Sequence, residues 1–235
     1  MKNILPLILP NLHRPLLLAL SAVLFMPFVA LAQSADPYTE KLKAGDAKSA
    51  SGDQAGAAAD YEAAVADAQT PTQRTLALGK KAMALAQKQD FVAARQAAEN
   101  ALATTAPIEP VAQVIALQAL AKCQLHEKNY ASALESATRA GGLSGVEWAK
   151  PELAMIRGDA ERGTGKFDAA VVSYRSILDL PGVSNEFKGV AWLNIGLTEQ
   201  YSLNNGANAK EAYTKASELN PGLKAEIETH LAKIQ

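Results

Sequence analysis

Residues 192–221 read WLNIGLTEQYSLNNGANAKEAYTKASELNP. Two helix-forming segments meet here at a turn. The first runs through Trp192, Ile195 and Gly196, and the second carries Ala209-x3-Tyr213-x2-Ala216. Asn204-Asn205-Gly206 breaks the chain between them and Pro221 closes the unit. The second segment has counterparts upstream: Ala57-x3-Tyr61-x2-Ala64, Ala94-x3-Ala98-x2-Ala101, Ala133-x3-Ala137-x2-Ala140 and Ala170-x3-Tyr174-x2-Ile177. Counting to Ala209, the leading alanines are 37, 39, 37 and 39 residues apart. A period in this range marks stacked two-helix units, each too small to bury its apolar face alone. Such an array points to a scaffold that binds, and away from a pocket that catalyses.

The first helix of each unit has a register of its own. Gly45, Ala82, Ala121, Gly158 and Gly196 fall in step with the alanines, and two residues later stand Ala47, Ala84, Cys123, Ala160 and Thr198, all small. Small side chains at these points let helices cross closely, beside a large aromatic that fills the gap. Phe91, Tyr130 and Phe167 open three of the second helices. Breakers such as Gly52-Asp53, Thr70-Pro71, Gly141-Gly142, Pro181-Gly182 and Pro221-Gly222 cut the chain into pieces of about 12 to 16 residues, near the usual helix length. No alternating β-branched run is long enough to claim a strand.

With these residues in place the chain resembles the tetratricopeptide repeat (TPR) family, whose helix–turn–helix unit has a W-x2-L-G-x2-Y … A-x3-F … P pattern. The match is fullest in residues 192–221. It is thinnest in the second and third units, where Ala82 and Ala121 replace the glycine and Ala98 and Ala137 replace the large residue. The resemblance implies an all-α fold: an α-solenoid of about five TPR-like repeats over 38–71, 75–108, 114–147, 151–184 and 189–222. A capping helix is expected over 223–235, with Leu223, Ile227, Leu231 and Ile234 turned inward and Glu226, Glu228 and Lys233 outward.

Residues 1–32 read as a secretory signal peptide. Lys2, His13 and Arg14 precede an apolar run from Leu16 to Val29, and Ala30-Leu31-Ala32 forms a cleavage site ahead of Gln33. The alternative is an uncleaved signal that holds the protein in the inner membrane. Residues 33–37 form a short linker. Removal of Lys2 and Arg14 leaves 21 basic residues against 24 acidic ones, so no basic excess favours nucleic acid. No segment after the signal is apolar over the ~18 residues a membrane helix needs. Cys123 is the only cysteine, so helix packing rather than an internal disulfide holds the fold. The expected location is the bacterial periplasm, with secretion as an alternative.

Chemistry is thin. Cys123 and His126 share a helix face, but two residues make a poor metal site, and a helix interior offers no oxyanion donors to a cysteine nucleophile. Gly141-Gly142-Leu143-Ser144-Gly145 follows a helix and lacks the Lys-Ser/Thr of a phosphate loop. No cofactor, metal or catalytic residue is assigned. The resemblance implies that the first helices line a concave groove. The groove candidates are Leu76, Met83 and Gln87; Gln118, Lys122 and His126; Met155, Asp159 and Arg162; and Tyr201, with Leu193 and Leu197 divided between groove and core. This set lacks a run of basic residues to clamp a carboxylate and is rich in Met, Leu and Tyr, which suits an apolar or amphipathic peptide or protein segment. The expectation is a non-enzymatic binding scaffold of unidentified partner and oligomeric state. The alternatives are a structural oligomerisation module, including a Cys123-linked dimer, and an enzyme using Cys123.

Overall fold

The computed structural model describes residues 36–234; the expected signal peptide and most of the linker lie outside them. The described residues form eleven α-helices and no strand. Five pairs follow one another: α1 (Pro37–Ala50) with α2 (Gln54–Asp67), α3 (Pro71–Gln87) with α4 (Phe91–Leu102), α5 (Pro110–His126) with α6 (Tyr130–Gly141), α7 (Lys150–Gly163) with α8 (Phe167–Leu178), and α9 (Asn185–Tyr201) with α10 (Gly206–Leu219). A 3-10 turn at Glu147–Ala149 leads into α7, and another at Pro221–Leu223 leads into α11 (Lys224–Leu231). Each helix from α1 to α10 packs on the next in sequence, and α3 also packs broadly on α5. This is an α-solenoid of successive helix pairs.

Local signals set the helix starts. Thr70 and Gln73 make a reciprocal capping box ahead of α3, with Pro71 in its first turn. Asp53, Asp90, Ser184 and Asn205 each accept a hydrogen bond from a backbone N–H of the first turn of α2, α4, α9 and α10. The turns inside the pairs share one device. Gly52, Gln89, Lys128, Gly165 and Asn204 all have positive φ, between +52° and +88°. The residue after each donates its N–H back across the turn: Asp53 to Lys48, Asp90 to Leu85, Asn129 to Gln124 and Lys166 to Glu161, five residues back, at 2.8–2.9 Å. The fifth turn holds one extra residue, so Asn205 reaches Glu199, six back, at 2.8 Å.

The core between paired helices takes two forms. In the first, fourth and fifth units a tyrosine ring lies flat against a glycine. A Cβ built on Gly45, Gly158 or Gly196 would lie 2.6, 2.4 or 2.5 Å from Cε1 of Tyr61, Tyr174 or Tyr213. In the second and third units alanine faces alanine, with Ala82, Ala98, Ala121 and Ala137 all buried. Between units α3 meets α5 almost backbone to backbone: a Cβ on Gly79 would lie 3.0 Å from the Ala116 nitrogen. Of the five small residues in step two positions on, Ala84, Cys123, Ala160 and Thr198 are buried, whereas Ala47 is exposed. The difference has a simple cause. Cys123 packs with Ala98 and Phe91 of the preceding unit, and no described helix precedes α1 to cover Ala47.

Ile227 of α11 is buried against Leu193, Ala209, Tyr213 and Ala216, with Leu223, Leu231 and Ile234 partly buried around it and Glu226, Glu228 and Lys233 exposed. Described helical structure ends at Leu231, short of the 223–235 span read from the sequence.

Candidate functional site: the face of the first helices

The first helices α1, α3, α5, α7 and α9 line one face of the array, and polar contacts cross between them. Tyr61 donates its hydroxyl to Asp46 at 2.7 Å, and Lys80 of the next unit pairs with the same carboxylate at 2.6 Å. Tyr174 donates to Asp159 at 2.7 Å; Arg162 lies 3.4 Å from Asp159 and 3.3 Å from Asn194 of the next unit. Tyr213 donates to Gln200 at 2.7 Å, and Gln200 donates to the His230 carbonyl at 3.0 Å. In each case the ring crosses the glycine and its hydroxyl emerges at an acceptor linked onward: Asp46 directly to Lys80 of the next unit, Asp159 through Arg162 of its own helix to Asn194, and Gln200 to the His230 carbonyl of α11. Partly exposed ion pairs such as Lys80–Asp46 and Arg162–Asp159 contribute about 1 kcal/mol, and with the other contacts they fix the register between units. Burial pushes the Asp159 carboxyl up from its usual range, and the Tyr174 hydroxyl and Arg162 oppose that shift. Burial likewise raises the Tyr61, Tyr174 and Tyr213 hydroxyls, so all three stay protonated donors.

A cavity of about 410 Å³ opens on this face. It runs from Asp46 and Tyr61, past Lys80, Met83 and Gln87, to Gln118, Glu152 and Trp148. Trp148 is 53% exposed.

The ten residues proposed from sequence do not all meet there. Met83, Gln87 and Gln118 line the cavity. Gln87 is exposed, but Gln118 is only 2% exposed because its side-chain nitrogen donates to Glu152 at 2.6 Å. Lys122 pairs with the same carboxylate. His126 is exposed and stacks on Phe91, ring centroids 3.6 Å apart. Leu76 is half-buried on α3. Met155 is also half-buried; it packs against α8 and α9 core residues and its sulfur accepts from Asn194. Asp159 and Arg162 form the half-buried pair described above. Tyr201 is exposed, with its hydroxyl 2.9 Å from His230 Nδ1. Leu193 and Leu197 belong to the core beneath α11.

The cavity also uses residues outside the sequence-derived set: Asp46, Lys80, Ile115, Glu152 and Trp148. Their one legible signal was the 34-residue offset between Asp46 and Lys80, and between Gln118 and Glu152, which is near one repeat. Trp148 lies in the 3-10 turn, off the helical register.

Cys123 is fully buried, and burial pushes its thiol up to about 11. A thiol held protonated and out of solvent is neither a ready nucleophile nor an accessible partner for an interchain disulfide. Among the described residues, no helix is long and apolar enough to cross a membrane.

No protein-family model matches the chain, and no curated protein matches it. Solved structures do. YrrB, described as a TPR protein with an unusual peptide-binding site, is 18% identical, with 82% of this chain and 90% of that chain covered and a TM-score of 0.56. MamA is 22% identical over 81% of this chain and 95% of its own, at a TM-score of 0.53. A MamA RS-1 ArsTM double mutant is 16% identical over 78% and 94%, at 0.58. At these identities the likeness shows the fold: a TPR-like solenoid.

Proposed function

We propose that the protein is a non-enzymatic scaffold of the bacterial periplasm that binds a protein or peptide segment along the face of its first helices. The observation that carries this reading is the open cavity of α1, α3, α5 and α7, which puts an exposed tryptophan beside Met83, Ile115 and paired charges. Apolar and aromatic anchors with a few fixed polar groups suit an extended or amphipathic segment. The fold it shares with YrrB, a TPR protein with a peptide-binding site, supports the same reading. The A-x-A site at Ala30–Ala32 supports export.

The test is capture and crosslinking from the native envelope fraction, comparing the mature chain with its Trp148→Ala and Met83→Glu variants. Both variants are expected to lose the partners that the parent holds while helical circular dichroism stays the same. Retention of every partner would refute the groove. N-terminal sequencing of the envelope-recovered protein is expected to begin at Gln33.

A further inference from the structure

A second cavity, of about 470 Å³, lies away from the first-helix face, in the cleft between α6 and α8 with α7 as its floor. Small residues keep it open: Ala137, Gly141 and Gly142 come from the α6 side and Ser176 from α8. The floor is Leu153 and Ala154, and two cations, Lys150 and Arg157, stand on the same stripe of α7. Among the described residues, no carboxylate lines it.

The repeat supplies its own comparison. Lys150 and Arg157 stand 76 residues after Arg74 and Lys81, two repeat periods, and Arg74 and Lys81 line the corresponding cleft between α2 and α4. There Glu62 answers Lys81 at 2.5 Å. The residue 76 positions after Glu62 is Thr138. Its hydroxyl donates to the Leu134 carbonyl of its own helix at 2.7 Å, and Ser176 donates to Ser173 at 2.6 Å. Both hydroxyl protons in the lining are therefore used inside their helices. Arg157 is anchored through Nε at 2.8 Å to Ser173, whose hydroxyl donates in turn to Glu161, outside the lining, and the two terminal nitrogens of Arg157 have no partner among the described residues. Among the described residues Lys150 has only a 3.8 Å contact with the exposed Glu147, outside the lining.

We propose that this cleft binds a small amphiphilic carboxylate of the medium-chain fatty-acid class. Arg157 takes the carboxylate on its planar fork, Lys150 adds its charge at the rim, and the chain lies on Leu153, Ala154 and Leu180. The volume lies within the usual range for a small-molecule site. The apolar floor favours a single negative charge over a doubly charged phosphate, which loses more hydration on entry.

Calorimetric titration of the folded protein with sodium octanoate tests this, with octanol as the uncharged probe of equal chain length. Octanoate is expected to bind saturably at a single site and octanol at least tenfold more weakly, with Arg157→Gln costing roughly tenfold in affinity. Thr138→Glu, which restores the carboxylate found in the other cleft, is expected to abolish binding. Thr138 is exposed on α6, so this variant keeps the fold even if Arg157→Gln does not. Lys81→Gln, in the other cleft, is expected to leave octanoate binding unchanged. Absence of saturable binding, equal binding of octanol, or a Thr138→Glu variant that binds like the parent would overturn the proposal.

Discussion

Gly158 and Tyr174 show how single residues carry the repeat. The ring needs the space a Cβ would fill, and its hydroxyl needs Asp159 beyond it. Gly158→Ala is expected to cost about 2–3 kcal/mol through overpacking, although alanine favours the helix, and Tyr174→Ala about 3–5 kcal/mol through the cavity left behind. The double variant recreates the alanine–alanine pair of the second unit, Ala82 with Ala98. It is expected to cost at least 1 kcal/mol less than the sum of the two. Denaturant unfolding of the four proteins measures this coupling, and strict additivity would mean that the two pair types are not alternative solutions to one packing problem.

The turns inside the pairs belong to the scale of the element. All five require a left-handed residue, and two supply it without glycine or asparagine, at Gln89 (φ 68°) and Lys128 (φ 60°). Left-handed backbone costs a side-chain-bearing residue about 1 kcal/mol or more, so Gln89→Gly and Lys128→Gly are each expected to stabilise by about 0.5–1 kcal/mol. Thermal unfolding checks this, and a loss of stability at both sites would contradict it. The same turns mark what was legible in the sequence. Helix pairing was, because Ala, Gly and Tyr recur in register from Ala57 to Ala216. The shared turn conformation was not, because Gln89 and Lys128 carry no turn signature. Part of the cavity lining was legible: position on the first helices picked out Met83, Gln87 and Gln118. Register could not show that Glu152 folds across Gln118, and it passed over Trp148, which stands between helices.

At the scale of the molecule, contacts run from each helix to the next or the next but one, so damage should stay local. Ile227 closes the C-terminal end over Leu193 and Tyr213. Ile227→Ala is expected to remove about 2–4 kcal/mol from that end. Hydrogen exchange should then quicken in α9 and α10 and stay at parent rates in α1 to α4. Uniform acceleration along the chain would mean a single cooperative core instead. The seat of Gly79 on Ala116 has a different consequence. Among the described first helices, only α3 and α5 are in broad contact, with the Gly79 backbone seated against the Ala116 backbone and the Ile115 side chain, whereas α5 and α7 touch over a small area. The array therefore behaves less like a uniform spring than like a beam with one welded joint. When it flexes around an occupant, the bending is taken up on either side of the second and third units, and the span from α3 to α5 moves as one piece.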